Sequence, residues 1–169
     1  KTTFVSYLWG MSMDYSEKMK NEIDQRKVTI MKYRPEVELL VKYIPWLEEK
    51  TNSAVMSEYN GSGTQTVSFS FPVYDSTLMG LVKTAQQTGL MDRNYKYIYS
   101  RNRIRSEVDE HDLIAKATLK DLGVLCGILS HYVLGGMTKG SLWPEGVTNG
   151  VLLALLCKLK QLVVDPVIE

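Results

Sequence analysis

Cysteine and histidine are scarce in this chain: its 169 residues hold two of each. Cys126 and Cys157 lie in apolar runs, Val124–Leu129 and Val151–Leu159, that read as helical. Both are expected as buried free thiols of a reducing compartment. A bridge between them would require the two helices to face each other there. With no histidine pair nearby they do not make a zinc site, and no metal or cofactor is expected. Of the two imidazoles, His131 has no serine, cysteine or aspartate placed by spacing to complete a triad, so it reads as a boundary residue of a helix. Excess charge is also lacking, since twenty basic residues face nineteen acidic ones for a net charge of +1. That balance excludes a general polyanion binder and confines any nucleic-acid site to a local patch. No segment reaches the ~18 apolar residues of a membrane span, and the N-terminal "FVSYLWG" is too short and too polar-flanked for a signal peptide. A cytoplasmic protein is therefore expected. Repeats and low-complexity segments are missing as well.

What remains is an ordinary globular composition, 44% apolar and 23% charged. A chain of this size can bury about 70% of its unfolded surface, enough for a core without staples. Asp14–Lys32 alternates in charge around Met19, Ile23 and Ile30, which predicts an exposed, lightly anchored helix. Pro35 suits a first helical position, and Val37, Leu40, Val41 and Ile44 then line one face. Pro45 should kink or end that helix. Residues 1–34 thus read as an N-terminal helical extension and 35–169 as one compact domain.

Ser53–Tyr59, the turn "NGSG" and Thr64–Phe71 predict a β-hairpin whose Val67/Phe69/Phe71 face packs on helices, with Pro72 ending it. Asp75 or Ser76 caps a helix carrying Leu78, Leu81, Val82 and Ala85. Glu107–Ala117 reads as a short acidic helix. Thr118 caps a strong helix, Leu119–Leu134, with Leu122, Cys126, Leu129 and Val133 on one stripe. A helical turn near Trp143–Val147 and a final helix, Val151–Val163, with Leu152, Leu155, Leu156, Leu159 and Leu162, complete the chain. The expected fold class is mainly α (α+β): about six helices with one β-hairpin packed on the helical core.

The loop "GGMTKGS", Gly135–Ser141, holds the residue types of a phosphate-binding P-loop. In a P-loop the lysine follows the last glycine, and the loop runs from a strand into a helix. Here Lys139 precedes Gly140, and the loop follows a helix. Two glycines after a helical stripe predict a C-terminal cap in which one takes positive φ. Ser141 offers an N-cap oxygen to the next turn, where Lys139 would assist any bound anion.

The segment "LSHYVLGGMTKGSLWPEGVTNGVLLALLCKL", Leu129–Leu159, resembles the C-terminal motif of DUF6508, a family of unknown function found in bacteria, phages and other mobile elements. "LLVKYIPWLE" (Leu39–Glu48) and "FPVYDSTLMGLVKTAQQTGLMDRNYKY" (Phe71–Tyr97) fit the same family in the same order. Many members carry an arginine-x-glutamate-arginine-phenylalanine run in the loop. This chain has Leu134, Gly136, Met137 and Thr138 there, so no role of those charges is carried over. The resemblance implies a compact, mainly helical domain and no established activity. Some inhibitors of CRISPR nucleases look similar to the family.

The most functional-looking segment is "RNYKYIYSRNRIR", Arg93–Arg105. It holds Arg93, Lys96, Arg101, Arg103 and Arg105 without an acid, interleaved with Tyr95, Tyr97 and Tyr99. If extended, the three tyrosines share a face and suit a nucleic-acid strand, rings on bases and cations on phosphates. The alternative is amphipathic packing, with the arginines paired to Glu107, Asp109, Glu110 and Asp112 just downstream. That acidic group surrounds His111, lacks the pattern of a calcium loop, and reads as a solvated helix start. Trp143 reads as a packing anchor, and Glu145 suits a first helical turn; both join Lys139 as secondary binding candidates.

Three functions are consistent with these features. The first is a non-enzymatic protein-binding module of a phage or mobile element, its partner a nuclease or nucleoprotein complex and its role that of an anti-CRISPR-like inhibitor. The second is a nucleic-acid-binding accessory protein working through Arg93–Arg105. The third is an enzyme using His131, Glu145 or Lys139, which a deep pocket bringing two of them into hydrogen-bond reach would favour. No catalytic residue is assigned.

Overall fold

A computed structural model describes the backbone of residues 3–51, 56–60 and 70–166, and the side chains of residues 15–51 and 75–166. Helix α1 (Thr3–Val41) runs unbroken through Pro35, so the expected helix start at that proline is not found. The chain breaks instead at Lys42-Tyr43, ahead of Pro45, which occupies the first turn of α2 (Ile44–Lys50), where a missing amide costs nothing. Val37, Leu40, Ile44 and Leu47 are buried along this seam. By contrast, every residue from Tyr15 to Val28 is exposed.

The expected fold class needs correction. The described residues form eight α-helices rather than six, and the described core is built from helices and their connections alone. The predicted hairpin does not form as read. Strand β1 (Met56–Asn60) pairs antiparallel with β2 (Ser70–Tyr74), Asn60 opposite Ser70 and Glu58 opposite Pro72. Pro72 therefore lies inside a strand instead of ending one, and positions 61–69, which hold most of the predicted "NGSG" turn, lie outside the described residues. Strand pairing is non-local, so alternation within Thr64–Phe71 could not fix its register. The two strands contact chiefly each other. Most of the second predicted strand, with Val67 and Phe69, lies outside the described residues.

Helix α3 (Ser76–Gln87) starts where Asp75 Oδ1 accepts from Thr77 N at 2.7 Å, and it buries Leu78, Leu81, Val82 and Ala85. Then come α4 (Tyr95–Arg101) and α5 (Glu107–Lys116). Thr118 and Asp121 form a reciprocal capping box around a 3-10 turn, Leu119–Asp121, which leads into α6 (Leu122–Gly135). The predicted stripe of α6 is buried, but so are Leu125, Ile128 and Tyr132, so this helix is enclosed on nearly all sides. Helices α7 (Leu142–Thr148) and α8 (Val151–Leu159) follow, and a π-helical turn, Lys160–Val164, packs on α1. Helix α8 touches α1, α2, α5, α6 and α7, which makes α6 and α8 the axis of the core. Cys126 is buried as expected, whereas Cys157 is exposed; both are free.

The end of α6 departs from the predicted cap. Gly136 has φ −66°, and Gly135 is not in the left-handed region either. Space is what requires glycine here: a Cβ on Gly136 would overlap the Trp143 indole, whose Nε1 donates to Val133 O at 2.9 Å. Trp143 thereby pins α7 back onto the end of α6.

Candidate functional site

The middle of the segment Arg93–Arg105 folds as α4, Tyr95–Arg101, rather than as a strand. Tyr95 and Tyr99, four apart, share a face, and Tyr97 points away and is 65% exposed. The expectation of three tyrosines on one face is therefore corrected. Two contacts fix α4 on α6. Asp92 N donates to Ser130 Oγ at 2.7 Å, and Ser130 Oγ in turn donates to Cys126 O. Ile98 lies over Gly127, where a Cβ would come within 2.7 Å of both Ile98 Cδ1 and Cγ2. Only a glycine permits that approach.

The C-terminus of α4 closes with Ile104 N donating to Tyr99 O and Arg103 N donating to Ser100 O, at 3.0 and 3.3 Å. This is a Schellman-type cap, which needs a left-handed residue before its hydrophobic last member. Arg103 supplies it, with φ 55°, while Ile104 is buried. The guanidinium of Arg103 is thereby held on the surface.

Among the described residues the acidic segment forms no ion pair with these cations: Asp109 and Glu110 are committed elsewhere, and Glu107 and Asp112 are exposed without an ion pair. Asp109 Oδ2 accepts from Arg105 N at 2.9 Å, which binds backbone rather than guanidinium. Glu110, expected on a solvated helix start, is only 5% exposed. It accepts from Tyr99 Oη at 2.6 Å and from Tyr132 Oη at 2.9 Å, and Asn149 Nδ2 donates to Tyr132 Oη at 3.0 Å. Burial raises the Glu110 pKa above the usual carboxylate range, opposed by the two tyrosine hydrogen bonds. Burial and the same carboxylate push Tyr99 and Tyr132 upward, so both stay protonated donors. His111 Nε2 lies 2.9 Å from Asn149 O, extending the network to the end of α7. Consequently Arg93, Lys96, Arg101, Arg103 and Arg105 are all exposed, and none forms an ion pair with a described residue.

Beside this basic edge lies a cleft of about 380 Å³ between α4, α6 and the loop after it. Tyr95, Lys96 and Tyr99 form one side, His131 and Gly135 the floor, and Thr138 and Leu142 the other side. The His131 ring sits 4.4 Å from that of Tyr99 and 5.9 Å from that of Tyr95, making a three-ring wall. Burial, assisted by Lys139, lowers the His131 pKa, so the imidazole is neutral at pH 7. Neither its nitrogens, nor the Tyr95 hydroxyl, nor the Thr138 hydroxyl has a hydrogen-bond partner among the described residues.

The secondary candidates separate. Lys139 is exposed near His131, whereas Trp143 and Glu145 are half-buried on α7 and do not line the cleft. His131, Lys139 and Glu145 make no hydrogen bonds with one another through their side chains. Among the described residues no group of three potential metal ligands converges. No single helix there is long and apolar enough to cross a membrane; the bent pair Leu142–Thr148 and Val151–Val164 passes by composition, but its apolar residues are largely buried in the core.

Sequence reasoning missed Glu110, Tyr132 and Asn149, because an acid in a first helical turn is usually solvated. It also missed the cleft, since His131 and Thr138 approach Tyr95 only through the packing of α4 on α6. No protein-family model, curated protein or solved structure matches this chain. The resemblance of Leu129–Leu159 therefore rests on its own residues.

Proposed function

We propose that this chain is a non-enzymatic binding module whose working surface is the Arg93–Arg105 segment around α4, and that its partner is nucleic acid. The observation that supports this is the set of five exposed cations, Arg93 to Arg105, left without ion pairs although four acids follow them in sequence. A net charge of +1 leaves little long-range attraction, so binding would depend on this local edge and be strongly screened by salt. A cytoplasmic location in a bacterial host goes with this reading. The test is fluorescence anisotropy of a labelled single-stranded oligonucleotide between about 50 and 200 mM salt. Wild type should lose affinity steeply with salt. Arg101/Arg103/Arg105→Ala should flatten the slope by about 2, because each phosphate neutralised on a single strand adds ~0.7 to it. Equal slopes for the two proteins refute the assignment.

A second reading, a protein-binding module, is favoured by α1. At ~100° per residue, Tyr15, Met19, Ile23, Ile30, Tyr33, Val37 and Leu40 fall within an arc of about 100°. The lower end of this stripe is core, with Val37 and Leu40 at 0% exposure, whereas Tyr15 and Ile23 are 68% and 47% exposed. The face that packs on the core thus continues beyond it. Self-association through this face predicts a dimer by light scattering at high concentration, lost in Met19→Glu/Ile23→Glu. A monomer at every concentration refutes it.

A further inference from the structure

The basic edge accounts for phosphates but not for the cleft beside it. Five phosphate-binding cations need no enclosed aromatic wall, yet Tyr95, Tyr99 and His131 cluster around one cleft that opens next to Lys96. Its volume falls in the range of about 300–1,000 Å³ usual for small-molecule sites. Three of the residues lining it carry polar groups with no hydrogen-bond partner among the described residues: the Tyr95 hydroxyl, the His131 nitrogens and the Thr138 hydroxyl. A hydroxyl donates and accepts, and a neutral imidazole does one of each. These groups match the edge of a heteroaromatic base rather than an alkyl chain or a bare anion. Lys96 lines one side of the cleft, and Lys139 is exposed near His131. Aromatic rings, mixed donors and acceptors, and lysines at the edge are what one nucleotide requires: base inside, phosphate outside.

We infer that the cleft between α4 and α6 receives one unstacked base, its phosphate held at the rim by Lys96 and Lys139. This deepens, and rests on, the nucleic-acid reading of α4. The Tyr99–Glu110–Tyr132 hydrogen bonds serve the site by holding the Tyr99 ring, and so the wall, in place. The base comes either from a single strand lying along Arg101–Arg105 or from a free nucleotide.

The experiment compares a dT12 strand, an abasic 12-mer of the same charge, and a mononucleotide with wild type and with Tyr95→Leu and Thr138→Leu. Both variants leave every cation in place, and thermal melts establish that they fold. Wild type should bind dT12 about 10-fold more tightly than the abasic strand, the effect of stacking one base. Each variant should lose that preference with its salt slope unchanged. Saturation by the mononucleotide with the same variant sensitivity supports the site with a free nucleotide as its occupant. Equal binding of dT12 and the abasic strand by wild type, with salt dependence intact, overturns the base site while the phosphate reading stands. No salt-dependent binding of either strand, and none of the mononucleotide, overturns both.

Discussion

Replacing Arg103 by glycine should make the protein more stable and the proposed nucleic-acid binding weaker. Arg103 is the one described non-glycine residue with positive φ, at 55°. An L-residue with a Cβ pays about 1–2 kcal/mol in the left-handed region. Glycine escapes that cost but returns ~0.4–1 kcal/mol through the greater freedom of its unfolded chain. The net gain is about 0.5–1 kcal/mol, since the exposed Arg103 side chain makes no ion pair or side-chain hydrogen bond with a described residue. For a chain of this length, that raises Tm by about 1–4 °C. The same substitution removes a cation from the basic edge, so the salt slope on a single strand should fall by about 0.7. Circular dichroism melts and anisotropy titrations read the two effects separately. A lower Tm would refute the left-handed cap. An unchanged salt slope would refute a phosphate contact at this position. A residue that costs stability where a glycine would serve is explained if its charge is what the position needs.

Gly127→Ala should destabilise by about 1–2 kcal/mol in urea, because the clash with Ile98 exceeds the helix-propensity gain of alanine. Ile98→Ala in the same chain should relieve the clash, so strictly additive effects would refute the close packing of α4 on α6. Glu110 sets a pH dependence. Its carboxyl is more basic in the folded state than in the unfolded chain, chiefly through burial. Its contribution to stability is thus fully present below the ordinary Glu value of ~4.3 and is lost as pH rises through the raised, folded value. Urea midpoints of wild type should fall over that window by at most ~1.4 kcal/mol per pH unit from this group, and Glu110→Gln should remove the slope. A slope that persists in Glu110→Gln would assign the pH dependence to another group.

Much of the helical framework was legible locally. Asp75 before Leu78, Leu81, Val82 and Ala85 specifies α3 by a cap and a period, both short-range signals. Pro45 fixes the break between α1 and α2 because the missing amide acts on its own turn. Leu122, Cys126, Leu129 and Val133 announce α6, and the leucines from Leu152 to Leu159 announce α8. Pro35 misled, because the helix runs through one absent hydrogen bond, with Val37 and Leu40 just beyond it buried in the core. The tight hairpin misled too, since strand register depends on a partner that alternation within one strand does not name.

Five cations and three tyrosines share the thirteen positions from Arg93 to Arg105, with four acids close behind; that much is written in the order of residues. Whether those charges cancel is settled by packing. The seat of α4 on α6 brings Tyr99 and Tyr132 together over Glu110 and draws that acid inward, while Asp109 turns to a backbone amide. The cations are left at the surface because a carboxylate serves whichever donors the fold places beside it, and here those donors are hydroxyls and an N–H rather than guanidinium groups.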